Sequence, residues 1–288
     1  MMLSSLIKVA KQNKALQRLR GISLKQGYVP RYAFAHYFLD TEGIRSRLHI
    51  QNYYSLFFPD VPREAQATVW LHSSSGRLLA KKEFSIPPFG QLYLELEDLL
   101  GERIENEGMV YVDLAPPRDI KPLLGMLPRV DELVSQTPFW VSYRDSSQNY
   151  MYVHSIETFK GRVFGAIWPL NWFLSKSAFE AEPWKSWRLL DLQLLEELQI
   201  VVMNHGNNPG RGTVQIFDDH ATVIWKHEFS LTTRQVQRVV LPHEIIEEWR
   251  STGITQHIRI GVDPLLTPNG KPYVLMRYGQ GPKSIHHG

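Results

Sequence analysis

The 288-residue chain contains no cysteine. Disulfide staples, thiolate metal ligands and a cysteine nucleophile are therefore excluded together. Cysteine-free composition suits the cytoplasm, which is the expected compartment. No apolar run approaches the roughly 20 residues that cross a bilayer as a helix, so no transmembrane segment is expected. The first residues also lack the apolar core of a secretory signal. The signatures of common chemistry are missing as well. Ser73-Ser74-Ser75-Gly76 lacks the leading glycine of a nucleophile elbow. Neither a phosphate-binding P-loop nor a Rossmann glycine fingerprint occurs. The expectation is no catalytic residue and no cofactor.

Acids are absent from residues 1–39, where Lys8, Lys11, Lys14, Arg18, Arg20, Lys25 and Arg31 supply seven basic side chains. The remainder holds 25 basic against 29 acidic residues, so a mildly acidic body carries a basic leader. Leu3, Leu6, Ile7 and Ala10 follow helical spacing, which predicts that the leader is partly helical. Such a basic helix either touches anionic surfaces or docks on the body with a solvated face.

What the chain has in quantity is aromatic bulk and turn residues. Eight Trp, twelve Tyr and thirteen Phe suffice for two cores, and eighteen Pro with nineteen Gly suit a fold of many turns. An internal repeat orders them. At an offset of 145, residues 68–86 lie over 213–231 without a gap, with Thr68/Thr213, Val69/Val214, Lys81/Lys226, Glu83/Glu228, Phe84/Phe229 and Ser85/Ser230 identical. At an offset of 150, Val110–Asp113 match Ile260–Asp263, and Pro138-Phe139 pairs with Pro272-Tyr273 further on. Upstream, Leu48–Asn52 and Gln199–Asn204 are both apolar stretches ending in Asn. Each block reads as strand, because Leu92, Leu94 and Leu96 alternate with Gln91, Tyr93 and Glu95 at period two.

The fold class that follows is all-β, two tandem antiparallel β-sandwich modules from an internal duplication, with a basic N-terminal helix and an aromatic linker. The expected boundaries are a leader over 1–39, a first sandwich over 40–156, a Trp-rich linker over 157–184 and a second sandwich over 185–288. Residues 119–136 read as an insertion in the first module. Trp168, Trp172, Trp184 and Trp187 are expected to wedge the modules together. Phe84 and Phe229 are expected at equivalent core positions.

The run Ala67–His72, the turn Ser73–Gly76, the strand Arg77–Ile86, the step Pro87-Pro88 and the apolar strand Gln91–Leu100 resemble the sensory rhodopsin transducer proteins and their bacterial relatives. That resemblance covers about a third of the chain and implies a sandwich with at most a binding role. It carries over no functional residue and no rhodopsin partner.

Two hairpins hold the candidate site residues. The last hairpin of the first repeat brings Tyr143 and Arg144 near Tyr152 and His154, and that of the second carries Arg277, Tyr278 and His286. Aromatic faces beside Arg and His bind a sugar, a carboxylate or a phosphate by stacking and charge-assisted hydrogen bonds. The competing reading of both hairpins is an ordinary amphipathic ribbon. No metal is expected, since His243-Glu244-Ile245-Ile246-Glu247 replaces the second histidine of a zincin helix with Glu247. Function is thus expected to be non-enzymatic binding of an unknown protein or glycan partner. The alternative is a carbohydrate-active or other enzyme with its site in the cleft between the repeats.

Overall fold

A computed structural model describes residues 32–41, 43–102, 106–115, 139–154, 156–159, 184–185, 189–204, 209–263 and 272–287. The leader up to residue 31, the insertion at 119–136, most of the linker with Trp168 and Trp172, and Trp187 lie outside them.

The described chain is antiparallel β-sheet with three short helices. In order it runs β1 Tyr32–Asp40, β2 Arg45–Gln51, α1 Tyr54–Phe57, β3 Ala65–Ser73, β4 Leu78–Ile86, β5 Gln91–Glu95, α2 Leu96–Leu100 and β6 Asn106–Ala115. There follow β7 Phe139–Arg144, β8 Tyr150–His154, β9 Ile156–Phe159, β10 Trp184–Lys185, β11 Leu190–Asp191, β12 Leu195–Met203 and β13 Gly210–Phe217. The chain ends with β14 Val223–Leu231, β15 Val236–Val240, α3 His243–Thr252, β16 His257–Asp263, β17 Tyr273–Tyr278 and β18 Ser284–His287.

Two sheets build the first module, in the orders β4-β3-β6-β1-β9 and β5-β2-β7-β8. Two build the second, in the orders β14-β13-β16-β10, with β11 also on β16, and β15-β12-β17-β18. The two halves share this arrangement of sheets, and the register of their long hairpins agrees at the matched positions. Thr68 pairs with Glu83 and Asp113, as Thr213 pairs with Glu228 and Asp263. Each β-hairpin breaks register at its end, between Leu71 and His72 and between Ile216 and Phe217. Phe229 is buried, whereas Phe84 is only half-buried against the first core.

A buried asparagine anchors the same turn in each half. The Asn52 N–H donates to Gly90 O, and its side-chain amide donates to Arg63 O, Ile86 O and Pro87 O at 2.7, 3.2 and 3.1 Å. Asn204 repeats this with its N–H on Gln235 O and its amide on Thr232 O at 3.0 Å. Both turns carry a non-glycine residue at positive φ, Phe89 at 56° and Arg234 at 64°.

The first module begins earlier than residue 40. Strand β1 starts at Tyr32 and lies between β6 and β9, with Phe34, Ala35, His36, Tyr37, Phe38 and Leu39 all buried. The first acid, Asp40, marks a change of charge but ends this strand rather than preceding it. A nearly unbroken apolar run buried on both faces sets the true start. At the other end β9 pairs with β1 and carries the module past residue 156.

The modules share a core. On β12, Leu198, Ile200 and Val202 point into the second sandwich, while Val201 and Met203 join the cluster of the first with Val236, Tyr273, Leu275 and Ile285. The Tyr37 and Tyr273 rings lie 5.9 Å apart, and the guanidinium of Arg234 sits 4.4 Å over the Tyr111 ring. Val236 N–H donates to Ser74 O at 2.8 Å, and Arg238 pairs with Glu107 at 2.7 Å while Glu107 also accepts from the Tyr37 hydroxyl. Side chains from both modules are therefore packed against one another at this junction. Packing of sheet against sheet holds the two modules together.

Candidate functional site

Strand alternation assigns the outer face of the β5-β2-β7-β8 sheet. In β2 burial alternates strictly, so Ser46, Leu48 and Ile50 enter the core and Arg45, Arg47, His49 and Gln51 face outward. Register then adds Tyr93 and Glu95 from β5, Trp140, Ser142 and Arg144 from β7, and Tyr150, Tyr152 and His154 from β8.

The aromatic rings on this face form a connected row. Tyr93 meets His49 edge-on at 5.2 Å, His49 meets Tyr152 at 5.5 Å, and Tyr152 stacks on Tyr150 at 6.3 Å with 20° between the planes. Tyr93, Tyr150 and Tyr152 are 56%, 45% and 64% exposed, which is unusual for three neighbouring large rings. Trp140 lies beside His49 in the register and is half-buried.

Polar contacts stiffen the row. The His49 Nε2 lies 2.7 Å from Ser142 Oγ. Partial burial, helped by the Arg47 charge, pushes the His49 pKa down, which favours the neutral ring. Arg47 Nε donates to Glu95 at 2.6 Å, a bond that raises the guanidinium pKa, and Arg45 donates to Glu97 at 3.1 Å. Tyr93 donates to Gln91 at 2.6 Å.

Of the residues expected at the site, Arg144, Tyr152 and His154 stand on this face. Tyr143 does not. It is fully buried, donates its hydroxyl to Tyr37 O at 2.6 Å, and has a pKa driven well up by burial. The alternation that exposes Arg144 turns Tyr143 inward.

The second hairpin is placed elsewhere. Arg277 donates to Gly279 O at 2.7 Å and lies 3.5 Å from Glu197. Burial would raise the Glu197 pKa, but Lys283 at 2.9 Å, Gln199 and Arg277 outweigh it and lower it. Tyr278 packs against the second core, with burial and then Asp191 raising its pKa. His286 is half-buried on β18 opposite Val274. The two hairpins thus do not converge on one site through these residues. They meet instead where His154, one of the expected residues, and His287 bring their Nε2 atoms to within 2.6 Å.

His49, Tyr93 and Trp140 were not among the expected residues. Their alternation is visible in the sequence, but the adjacency of β2 with β5 and β7 is not. His243 pairs with Glu247 at 3.6 Å, and among the described residues no group of three His, Asp or Glu side chains is arranged to hold a metal. No described helix is long and apolar enough to cross a membrane.

No family model matches the chain, and no curated protein matches its sequence. Among solved structures it is similar to a putative β-galactosidase from Bacteroides fragilis at 12% identity and a TM-score of 0.19. That match covers 90% of this chain and 32% of the other. A β-glucuronidase from Bacteroides uniformis gives 11% identity and a TM-score of 0.17, over 91% and 27% of the two chains. The chain spans about a third or less of the length of these proteins, and likeness at this level carries no argument about activity.

Proposed function

We propose that the protein is a non-enzymatic binding protein that takes a glycan on the outer face of its β5-β2-β7-β8 sheet. The row Tyr93–His49–Tyr152–Tyr150 carries this reading. A pyranose ring presents an apolar C–H face and a polar rim. Exposed rings beside hydrogen-bonding groups suit both, the rings by stacking and the polar groups by orienting the rim. The corresponding face of the second module supports the assignment by contrast. There Val201, Met203, Val236, Leu275 and Ile285 are buried at the junction with the first module. The same sheet face is thus apolar where it packs on protein and aromatic-polar where it meets water.

A glycan array probed with the wild-type chain and with Tyr152→Ala tests the reading. The wild type should retain at least one glycan class, and Tyr152→Ala should lose it at unchanged melting temperature, since that ring is mostly exposed. Retention of no glycan by the wild type, or undiminished binding by the variant, overturns the proposal. Capture of a protein in place of any glycan would do the same and return the face to an ordinary protein interface.

A further inference from the structure

Charge on the glycan face is unevenly matched. Arg45, Arg47 and Arg144 present three guanidinium groups on it. Glu97 engages Arg45 at 3.1 Å and Glu95 engages Arg47 at 2.6 Å. Among the described residues no carboxylate pairs with Arg144. Its chain neighbour Asp145 is turned into the β7–β8 loop, where it accepts from Asn149 N at 2.9 Å and from the Asn149 amide at 2.8 Å. Arg144 lies directly across from Tyr150 in the β7–β8 register and from Arg45 in the β2–β7 register. An unmatched, half-buried cation therefore stands beside the Tyr150–Tyr152 stack.

We propose that the ligand is an acidic glycan, whose uronate carboxylate is held by Arg144 while its ring stacks on Tyr152. This rests on the glycan reading of the same face. A guanidinium fork matches a planar carboxylate with two parallel N–H···O bonds, a geometry that a lysine ammonium does not offer. Arg45 across the sheet adds positive potential, and the Glu95–Arg47 pair sets a hydrogen-bonding rim next to the rings. A neutral sugar would leave Arg144 with water alone.

Oligogalacturonate and its methyl ester share a ring and differ in charge, so isothermal titration of both separates stacking from charge recognition. The wild-type chain should bind oligogalacturonate at least tenfold more tightly than the ester at low salt, and 0.5 M NaCl should shrink that ratio. Arg144→Gln should bring the ratio to within about twofold, mainly by weakening binding of the acid and far less that of the ester. Arg144→Lys should restore only part of the preference, because charge returns without the fork. Tyr152→Ala should weaken binding of both sugars. Equal affinity of the wild type for acid and ester, or an Arg144→Gln variant that keeps the preference, overturns the acidic-ligand inference and leaves the glycan reading standing. Tighter binding of dextran sulfate than of oligogalacturonate overturns the carboxylate assignment. No binding of any sugar, with the array also blank, removes the glycan reading itself.

Discussion

Replacing Gly76 by alanine should loosen the junction between the modules, and the same change at Gly101 should not. Both glycines hold left-handed backbone, at φ +85° and +81°. Each alanine therefore carries a similar intrinsic penalty of about 1–2 kcal/mol. At Gly101, which ends α2, an added Cβ meets nothing within 4 Å. At Gly76 it would lie 2.4 Å from Thr233 O and 3.2 Å from the Arg234 carbonyl carbon. Those are backbone atoms of the second module, so a side-chain rotation gives no relief. The 232–236 loop must retreat, disturbing the Val236 N–H bond to Ser74 O and the seat of Arg234 over Tyr111. Losing one hydrogen bond and one cation–π contact costs on the order of 1–2 kcal/mol. Gly76→Ala should therefore destabilise by about 2–4 kcal/mol and Gly101→Ala by about 1–2 kcal/mol. Urea unfolding followed by tryptophan fluorescence, compared at constant m, measures both. Equal losses at the two positions would refute a close-packed junction at this turn.

Tyr143→Phe should cost about 1–3 kcal/mol, because it deletes a buried hydroxyl that donates to Tyr37 O. Unchanged stability in urea would mean that this bond contributes nothing net. Burial holds the His36 pKa down at about 3, although the Tyr37 and Val153 carbonyls beside its two ring nitrogens favour the charged form and oppose the shift. Between pH 6.5 and pH 3 the unfolded chain therefore binds a proton that the folded chain refuses, so stability rises with pH in that window. The contribution is intact above pH 6.5 and is lost as pH falls, at up to about 1.4 kcal/mol per pH unit. His36→Gln should flatten the wild-type slope between pH 6.5 and 5 by that amount, and parallel slopes for the two proteins would contradict a neutral buried imidazole.

Strand alternation, the repeat offsets and the turn residues were legible without coordinates because each is a local property of a pleated chain. The period-two pattern of Gln91–Glu95 places Tyr93 outward whichever strands flank it. The offset of 145 between Thr68 and Thr213 reappears as identical hairpin pairing, because a hairpin register depends on its own turn. Charge is a poorer guide: the first acid, Asp40, ends β1, and the apolar run before it already forms that strand. Which hairpin residue faced outward needed the register as well, and so Tyr143 was placed beside Arg144 although neighbours along a strand point to opposite faces.

That one sheet face became a junction and its counterpart a surface depends on contacts between distant segments. His49 and Tyr93 are 44 positions apart, and nothing local to either says that β2 lies beside β5. Likewise, Val201 and Met203 on β12 belong to an apolar stretch in the sequence, and their burial against the first module arises from sheets meeting across a long chain separation. Such contacts form between segments distant in the chain and gain their energy from burial shared by both partners. Local pattern in the chain therefore sufficed for the strands and for the alternation along each of them. Folding alone brought the rows of Tyr93, His49, Tyr152 and Tyr150 together and left Arg144 beside them without a partner carboxylate among the described residues, because cross-strand neighbours are set by sheet order rather than by chain order.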